Sequence, residues 1–403
     1  MQSNLSQTEL NALSRKPRII DEIPSSYEKR PDFWKDVDKE TWQSPIWQFA
    51  NRLFEVDAIQ RVIDLDTSEI EAIRKTQSIF STALSPHYAA LIRHELGQNC
   101  PIRRQAIPSL DELHTNDTLL DDPLGERSHA IEKCAVRRYP DRALLYTTHE
   151  CAMRCRHCTR RQRVGMAEAI SKADLQNAID AIIQNENIRD VLVSGGDPLT
   201  LPNSTLDFIF SQLKKSPHID VVRLCTRMVC TMPQRFFDDD LLRILEKHAP
   251  LYVNTQFNHP FEATREAQEA FKRLRNAGCI LGNQSVLLKN INDSADTLEP
   301  LFRFLLKNGC RPYYLFLCDV AQGTDHFRTT IQAGLDIMKQ LRGTLSGLAI
   351  PHFVIDLPNG FGKLDLANDP ILQKSGNEIL FKNWFDQTVV YHEPSSTPSP
   401  DLP

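Results

Sequence analysis

The sequence has little that would take it to a nucleic acid or a membrane. Lysine and arginine number 47 against 52 aspartates and glutamates in 403 residues, a formal net charge of −5. A domain that wraps duplex nucleic acid carries a basic excess, so this balance argues against that class. A cationic ligand must then be met by particular carboxylates. No apolar run approaches the ~18 residues of a membrane-spanning helix. The opening MQSNLSQTEL lacks the basic-then-apolar pattern of a secretory leader. The expected compartment is therefore the cytoplasm, where thiols stay reduced. Ten cysteines need a reading other than a disulfide framework. Most serve as small buried hydrophobes; the clustered ones need their own explanation. No internal repeat is present, and no G-x-G-x-x-G follows the first expected strand, which argues against an open dinucleotide-binding sheet. The remainder is ordinary globular composition, 41% hydrophobic and 25% charged. The length suits two or three domains, or one barrel with attachments.

Residues 1–95 read as a helical collar with a packing role. PDFWKDVDKETWQSPIWQFANRL carries aromatic and aliphatic residues at helical spacing. TSEIEAIRKTQSIF opens on a Ser/Thr-rich cap, and SPHYAALIRHEL predicts a further short helix. From about 140 the texture changes. ALLYTT, DVLVSGG, VVRLCTR, LYVNTQF, ILGNQSVLL, RPYYLFLCD and HFVIDLP read as buried strands. Amphipathic stretches such as KADLQNAIDAIIQN, TREAQEAFKRLRNAG and IQAGLDIMKQLRG lie between them. Strand then helix, repeated, predicts an α/β fold with a parallel sheet, here a partial (β/α)6-type barrel over 96–365. Barrel chemistry sits at the C-terminal ends of the strands. Residues 366–403 form a C-terminal extension whose Pro/Ser-rich end, EPSSTPSPDLP, is expected to be disordered.

Cys151, Cys155 and Cys158 form C-x3-C-x2-C just after the strand ALLYTT. Three close thiols in a reducing compartment suggest a metal ion or an iron–sulfur cluster. Buried thiols and a zinc site are the alternatives. Zinc wants four ligands, and His157 lies inside the loop at an awkward spacing. A cubane held by three cysteines leaves one iron open to a substrate or cofactor. Ser194, Gly195, Gly196, Asp197 and Pro198 follow the strand DVLV. The glycines would let backbone approach a ligand, although in isolation S-G-G-D-P is also a plain turn.

On these residues the chain resembles the radical S-adenosylmethionine (SAM) superfamily. The resemblance implies a [4Fe–4S] cluster on the three cysteines, whose open iron chelates SAM and reduces it to a 5′-deoxyadenosyl radical. It also implies that Ser194–Asp197 meet the SAM amino group. RRYPDR, CAMRCRHCTRR, SGGDPL, NTQFNHP, GNQSVLL, RPYYLFLCD, HFRT and PNGFGK, in that order over roughly 95–365, narrow the resemblance to the lysine 2,3-aminomutase family. That family moves an α-amino group to the β-carbon with pyridoxal phosphate (PLP) as carrier, and the chemistry requires it. The C3 hydrogen is not acidic, so a radical must abstract it, and a PLP imine offers the nitrogen a π-system through which to migrate. The resemblance implies Lys363 as the Schiff-base lysine, Arg138 and Arg142 at the PLP phosphate, Arg160 at the substrate carboxylate and Gln284 at SAM. Arginine suits phosphate through forked, charge-assisted bonds. Gln256 stands where the family has histidine, and either side chain can hydrogen-bond SAM. Phe361 departs from a family loop that is nearly all glycine, and bears on the fit of the PLP ring or substrate.

Asp319 and Asp356 end the strands YYLFLCD and HFVID, at the end of the barrel where a site would lie. A cationic tail taken out of water needs carboxylates to offset its desolvation. Their separation matches the pair that binds the distal ammonium in the lysine enzymes. The function implied is conversion of L-lysine to β-lysine by an isomerase. The alternatives are arginine as substrate, or a lysine enzyme serving elongation factor P modification. A radical SAM enzyme that has abandoned PLP is disfavoured by the retention of Lys363, Arg138 and Arg142. A zinc or RNA-binding module is disfavoured by the acidic balance. Ser294 replaces the cysteine with which family members hold a structural zinc, and no cysteine follows Cys318. No zinc site is therefore expected, and the assembly is expected to be a homodimer. The partners expected are an amino acid and a reductant such as flavodoxin or ferredoxin, with no nucleic acid and no membrane.

Overall fold

The computed structural model describes residues 17–366, 371–375, 378–382 and 388–392. Thirteen strands run along it: β1 Ala130–Glu132, β2 Ala135–Tyr139, β3 Arg142–Tyr146, β4 Asp190–Ser194, β5 Val221–Cys225, β6 Tyr252–Thr255, β7 Ile280–Leu287, β8 Cys310–Leu317, β9 His352–Leu357, β10 Gly362–Asp365, β11 Ile371–Ser375, β12 Glu378–Lys382 and β13 Thr388–His392. The first ten form one sheet in sequence order. From β3 to β9 every neighbouring pair is parallel. β1 and β2 precede them as antiparallel strands, and β10 turns back antiparallel on β9. The partial α/β barrel expected from the alternation is thus present, with a seventh parallel strand, β9, beyond the sixth strand–helix unit. β11–β13 form a separate antiparallel sheet in the extension. The stretch expected to be disordered, EPSSTPSPDLP, lies outside the described residues.

Local chemistry accounts for the elements. Each crossover between parallel strands carries a helix, and most of these open on a side chain that accepts from the first turn. Ser171 and Asp174 form a capping box on Lys172–Gln184. Thr264, Ser294 and Thr330 cap Arg265–Asn276, Ala295–Lys307 and Ile331–Arg342. Ser294, at the position noted above for zinc, therefore serves as a helix cap. Along most of the parallel strands buried residues alternate with partly exposed ones, and Val191, Val193, Leu224 and Val253 belong to the main hydrophobic core.

The N-terminal helices hold a second core. Trp34, Trp42 and Trp47 pack on one another beside Ile59, Ile63 and Tyr88. Met153 and Cys155 of the cysteine loop pack against this core, so the collar braces the mouth of the barrel.

Packing between the last crossover helix and β9 leaves no slack. A Cβ at Gly334 would overlap the ring of Phe353, which is fully buried. Gly334→Ala is expected to cost about 1–3 kcal/mol through overpacking, read as a lower thermal unfolding midpoint. Phe353→Leu in the same chain should restore most of the loss.

Candidate active site

A cavity of about 690 Å³ opens at the C-terminal ends of the strands. It is lined by Cys151, Cys155 and Cys158 on one side, Ser194–Asp197 beside them, and Arg138, Arg142, Arg160, Gln284, Asp319, Asp356 and Lys363 around the remainder. Residues up to 225 positions apart are thus brought to one space.

The cysteine loop follows β3 and is seated by buried charge. Glu112 is 1% exposed and accepts from Arg156 Nε at 2.8 Å, from Arg156 Nη2 at 2.6 Å and from Arg161 Nη2. Burial opposes its ionisation, yet the two guanidiniums hold its carboxyl below the usual range. Backbone bonds from Arg154 to Ala83 and from Arg156 to Gln105 tie the loop to the collar. Arg227 Nη1 donates to Cys155 Sγ at 2.7 Å, and its Nη2 reaches Glu262 and Gln105. Burial, then neighbouring charge, pushes the Cys151 thiol well above its ordinary value and Cys158 to about 11. A cationic metal beside Cys151 and Cys158 would favour their thiolate forms. Among the described residues no His, Cys, Asp and Glu set is gathered around one point as ligands of a single ion. His157, weighed above as a fourth ligand, does not line the cavity. It is buried, with Nε2 beside the Asn258 amide at 3.3 Å.

The Gly195–Gly196 turn lies against protein backbone. Gly196 N donates to Thr148 O at 2.6 Å and Asp197 N to Glu150 O at 2.7 Å. A Cβ at Gly196 would overlap the Glu150 carbonyl. The glycine is therefore required by close docking onto the segment leading into Cys151, where the sequence suggested approach to a ligand. Asp197 is buried, and its carboxylate accepts from Thr226 Oγ1, Arg227 N and Leu199 N. The cavity beside the glycine turn also presents Asn254 and Thr255, whose buried Nδ2 and Oγ1 have no protein partner. Unpaired buried polar atoms of this kind suit a polar ligand.

On the opposite side, Lys363 Nζ donates to Asp356 Oδ2 at 2.6 Å, and Arg138 Nη2 lies 3.5 Å from Oδ1. Burial lowers the Lys363 pKa while Asp356 raises it, with a net lowering, which favours a nucleophilic amine. Arg138 Nε and Tyr139 Oη are buried without a protein partner, a fit to a phosphorylated, hydroxylated ring. Arg142 lies at the rim, paired with Asp141 at 2.9 Å. Phe361 does not line the cavity. The left-handed turn at Asn359 and Gly360 leaves it 80% exposed, so it does not reshape the pocket.

Several residues escaped sequence reasoning. Glu126 is buried and accepts from Arg160 Nε at 2.8 Å. It sits in DDPLGER, a turn-like stretch without a motif, yet this segment also bonds to the Asp319 loop through Leu120 and to the Lys363 loop through Pro123. Thr159 Oγ1 donates to Asp319 Oδ2 at 2.6 Å. Tyr313 and Tyr314 both line the cavity because the β7–β8 register shifts between Asn283 and Gln284, and such a bulge re-aims side chains beside sites.

The Radical SAM superfamily description matches residues 145–305. The chain is thus a radical SAM enzyme, a class that implies a [4Fe–4S] cluster and SAM. The Lysine-2,3-aminomutase description matches residues 338–401. The chain is 44% identical over 353 residues to the glutamate 2,3-aminomutase of Clostridioides difficile (strain 630), covering 87% of this chain and 83% of that one. It is 41% identical over 360 residues to a putative L-lysine 2,3-aminomutase of Aquifex aeolicus (strain VF5), covering 89% and 97%. To the L-lysine 2,3-aminomutase of Bacillus subtilis (strain 168) it is 38% identical over 376 residues, covering 93% and 79%. The chain belongs to the lysine 2,3-aminomutase family of isomerases. No helix among the described residues is long and apolar enough to cross a membrane.

Docking of the glycine turn onto the cysteine loop gives a direct test. Gly196→Ala should lower the iron bound per chain severalfold after anaerobic reconstitution, measured by iron and sulfide assay. Gly347→Ala, where a Cβ meets nothing within 4 Å, should leave iron content unchanged.

Proposed function

We propose that the chain converts L-lysine to β-lysine, with Cys151, Cys155 and Cys158 holding the cluster and Lys363 holding PLP. The observation that carries the substrate is the pair Asp319 and Asp356. They stand at the ends of the adjacent parallel strands β8 and β9, in the same cavity as Lys363. Asp356 has a side chain only 11% exposed. Two carboxylates in a partly buried wall attract an ammonium and repel a third carboxylate. One close relative is named for glutamate; that substrate would bring its side-chain carboxylate against this pair.

The chain's own groups divide the work. Arg160 gives Nε to Glu126, which fixes the guanidinium plane and leaves the Nη edge for the substrate's α-carboxylate. Arg138, with an unspent buried Nε, and Arg142 would hold the PLP phosphate. Lys363 supplies the amine. Bound there, PLP would supply the π-system through which nitrogen migrates, and the cluster would supply the electron that cleaves SAM.

An anaerobic assay with reconstituted cluster, SAM, PLP and reductant, offering lysine, arginine, glutamate and alanine separately, tests the reading. β-Lysine is the expected product. β-Glutamate, or SAM cleavage without any β-amino acid, would sink it. Asp319→Asn should lower kcat/KM for lysine at least a hundredfold, because breaking a buried charge pair costs about 3–5 kcal/mol.

Burial pushes the Asp319 carboxyl up to about 6, with Asp356 adding to the rise and Thr159, Lys363 and Arg138 opposing it. Only the ionised form attracts an ammonium. The kcat/KM for lysine should therefore fall as pH drops through about 6. Thr159→Val removes a donor that favours the anion, so its inflection should move to higher pH. An unchanged profile would show that Asp319 does not meet the cation.

A further inference from the structure

The antiparallel register of β9 and β10 makes Lys363 and Asp356 cross-strand partners. This places the Lys363 ammonium 2.6 Å from Asp356 Oδ2, 4.1 Å from the centroid of the Phe316 ring and 5.2 Å from that of Tyr314. A carboxylate with two aromatic faces is a cage for a primary ammonium, and here the chain's own lysine occupies it. A lysine substrate would bring the same chemical group, a primary ammonium on a four-carbon stem.

We infer that the Lys363 ammonium stands in for the substrate's distal ammonium at Asp356, so that attachment of the cofactor to Lys363 opens the substrate's cation site. The inference rests on the lysine reading above and deepens it. Condensation of the Lys363 amine with the cofactor aldehyde forms a carbon–nitrogen bond, releases one water and gives the ammonium's extra proton to solvent. Lys363 then no longer offers a free ammonium to Asp356. Arg138, 3.5 Å from Oδ1, remains as a weaker neighbour drawn toward phosphate. Loading is then ordered, cofactor first and amino acid second. The need for two carboxylates also follows from charge count. When the amino acid's nitrogen displaces Lys363, two ammonium groups share the cavity, and Asp319 and Asp356 supply one negative charge for each.

Calorimetric titration of the cofactor-free protein with L-lysine and with L-norleucine, which lacks only the terminal ammonium, tests this. Cofactor-free wild type, with Asp319 alone open to the ammonium, should prefer lysine over norleucine severalfold less than forms that free Asp356. Wild type loaded with PLP, and cofactor-free Lys363→Met, should each prefer lysine by about tenfold or more, the scale of one desolvated charge contact. Lys363→Gln gives the same test should Lys363→Met fold poorly, and the wild-type comparison needs no variant. If cofactor-free wild type prefers lysine as strongly as Lys363→Met, or if loaded wild type prefers it and the variants do not, the exchange at Asp356 is wrong and the lysine reading stands. If no form distinguishes lysine from norleucine, the lysine reading itself falls and takes this inference with it.

Discussion

Glu112, almost wholly buried, accepts from both Arg156 and Arg161, and the rest of the site depends on that junction. The cysteine loop is rich in arginine because it runs between two cores and must be held without a regular element of its own. A buried guanidinium without a counter-ion would cost more than the loop's backbone bonds return. Arg227 extends the pattern, joining Glu262 of the β6 crossover to Cys155 of the loop. The basic run RCRHCTRRQR, which on a surface would suggest phosphate binding, is in large part the inward face of this scaffold.

The functional end of the barrel repeats the principle with pairs that can be exchanged. Arg160 rests on Glu126, Asp356 on Lys363 and Asp319 on Thr159. Each partner satisfies a group that a ligand would otherwise have to neutralise. Neighbouring parallel strands bring Asp319 and Asp356 to the same cavity, and the β9–β10 hairpin folds Lys363 back onto Asp356. Relatives named for lysine and for glutamate share most of the chain's length, so the shared fold does not by itself decide between those substrates.

Much of this was readable from residues alone, and the reasons differ. The seven expected strands and the amphipathic stretches between them lie where periodicity and caps put them, because local propensity and burial agree there. The three cysteines stood out because clustering is visible in one dimension. Glu126 and Thr159 did not, since a polar residue in a turn carries no sign of what it will meet across the fold. Tyr313 and Tyr314 were hidden by alternation, which sends successive strand residues to opposite faces until a bulge breaks the rule. Phe361 was misjudged for a related reason: a departure from a glycine loop matters only if the turn aims it inward, and the turn at Asn359 and Gly360 aims it out.

The sequence by itself determined the alternation of strand and helix, the cysteine spacing, the family, and the presence of two acidic residues at strand ends. These rest on local composition and order, which folding does not alter. Only the tertiary structure decided who pairs with whom: that Gly196 is needed by the backbone before Cys151, that Glu126 orients Arg160, and that Lys363 sits on Asp356. Those pairings join residues from seven to a few tens of positions apart, and they are fixed by register between strands and by the demand that each buried charge find a partner, neither of which is written at any single position.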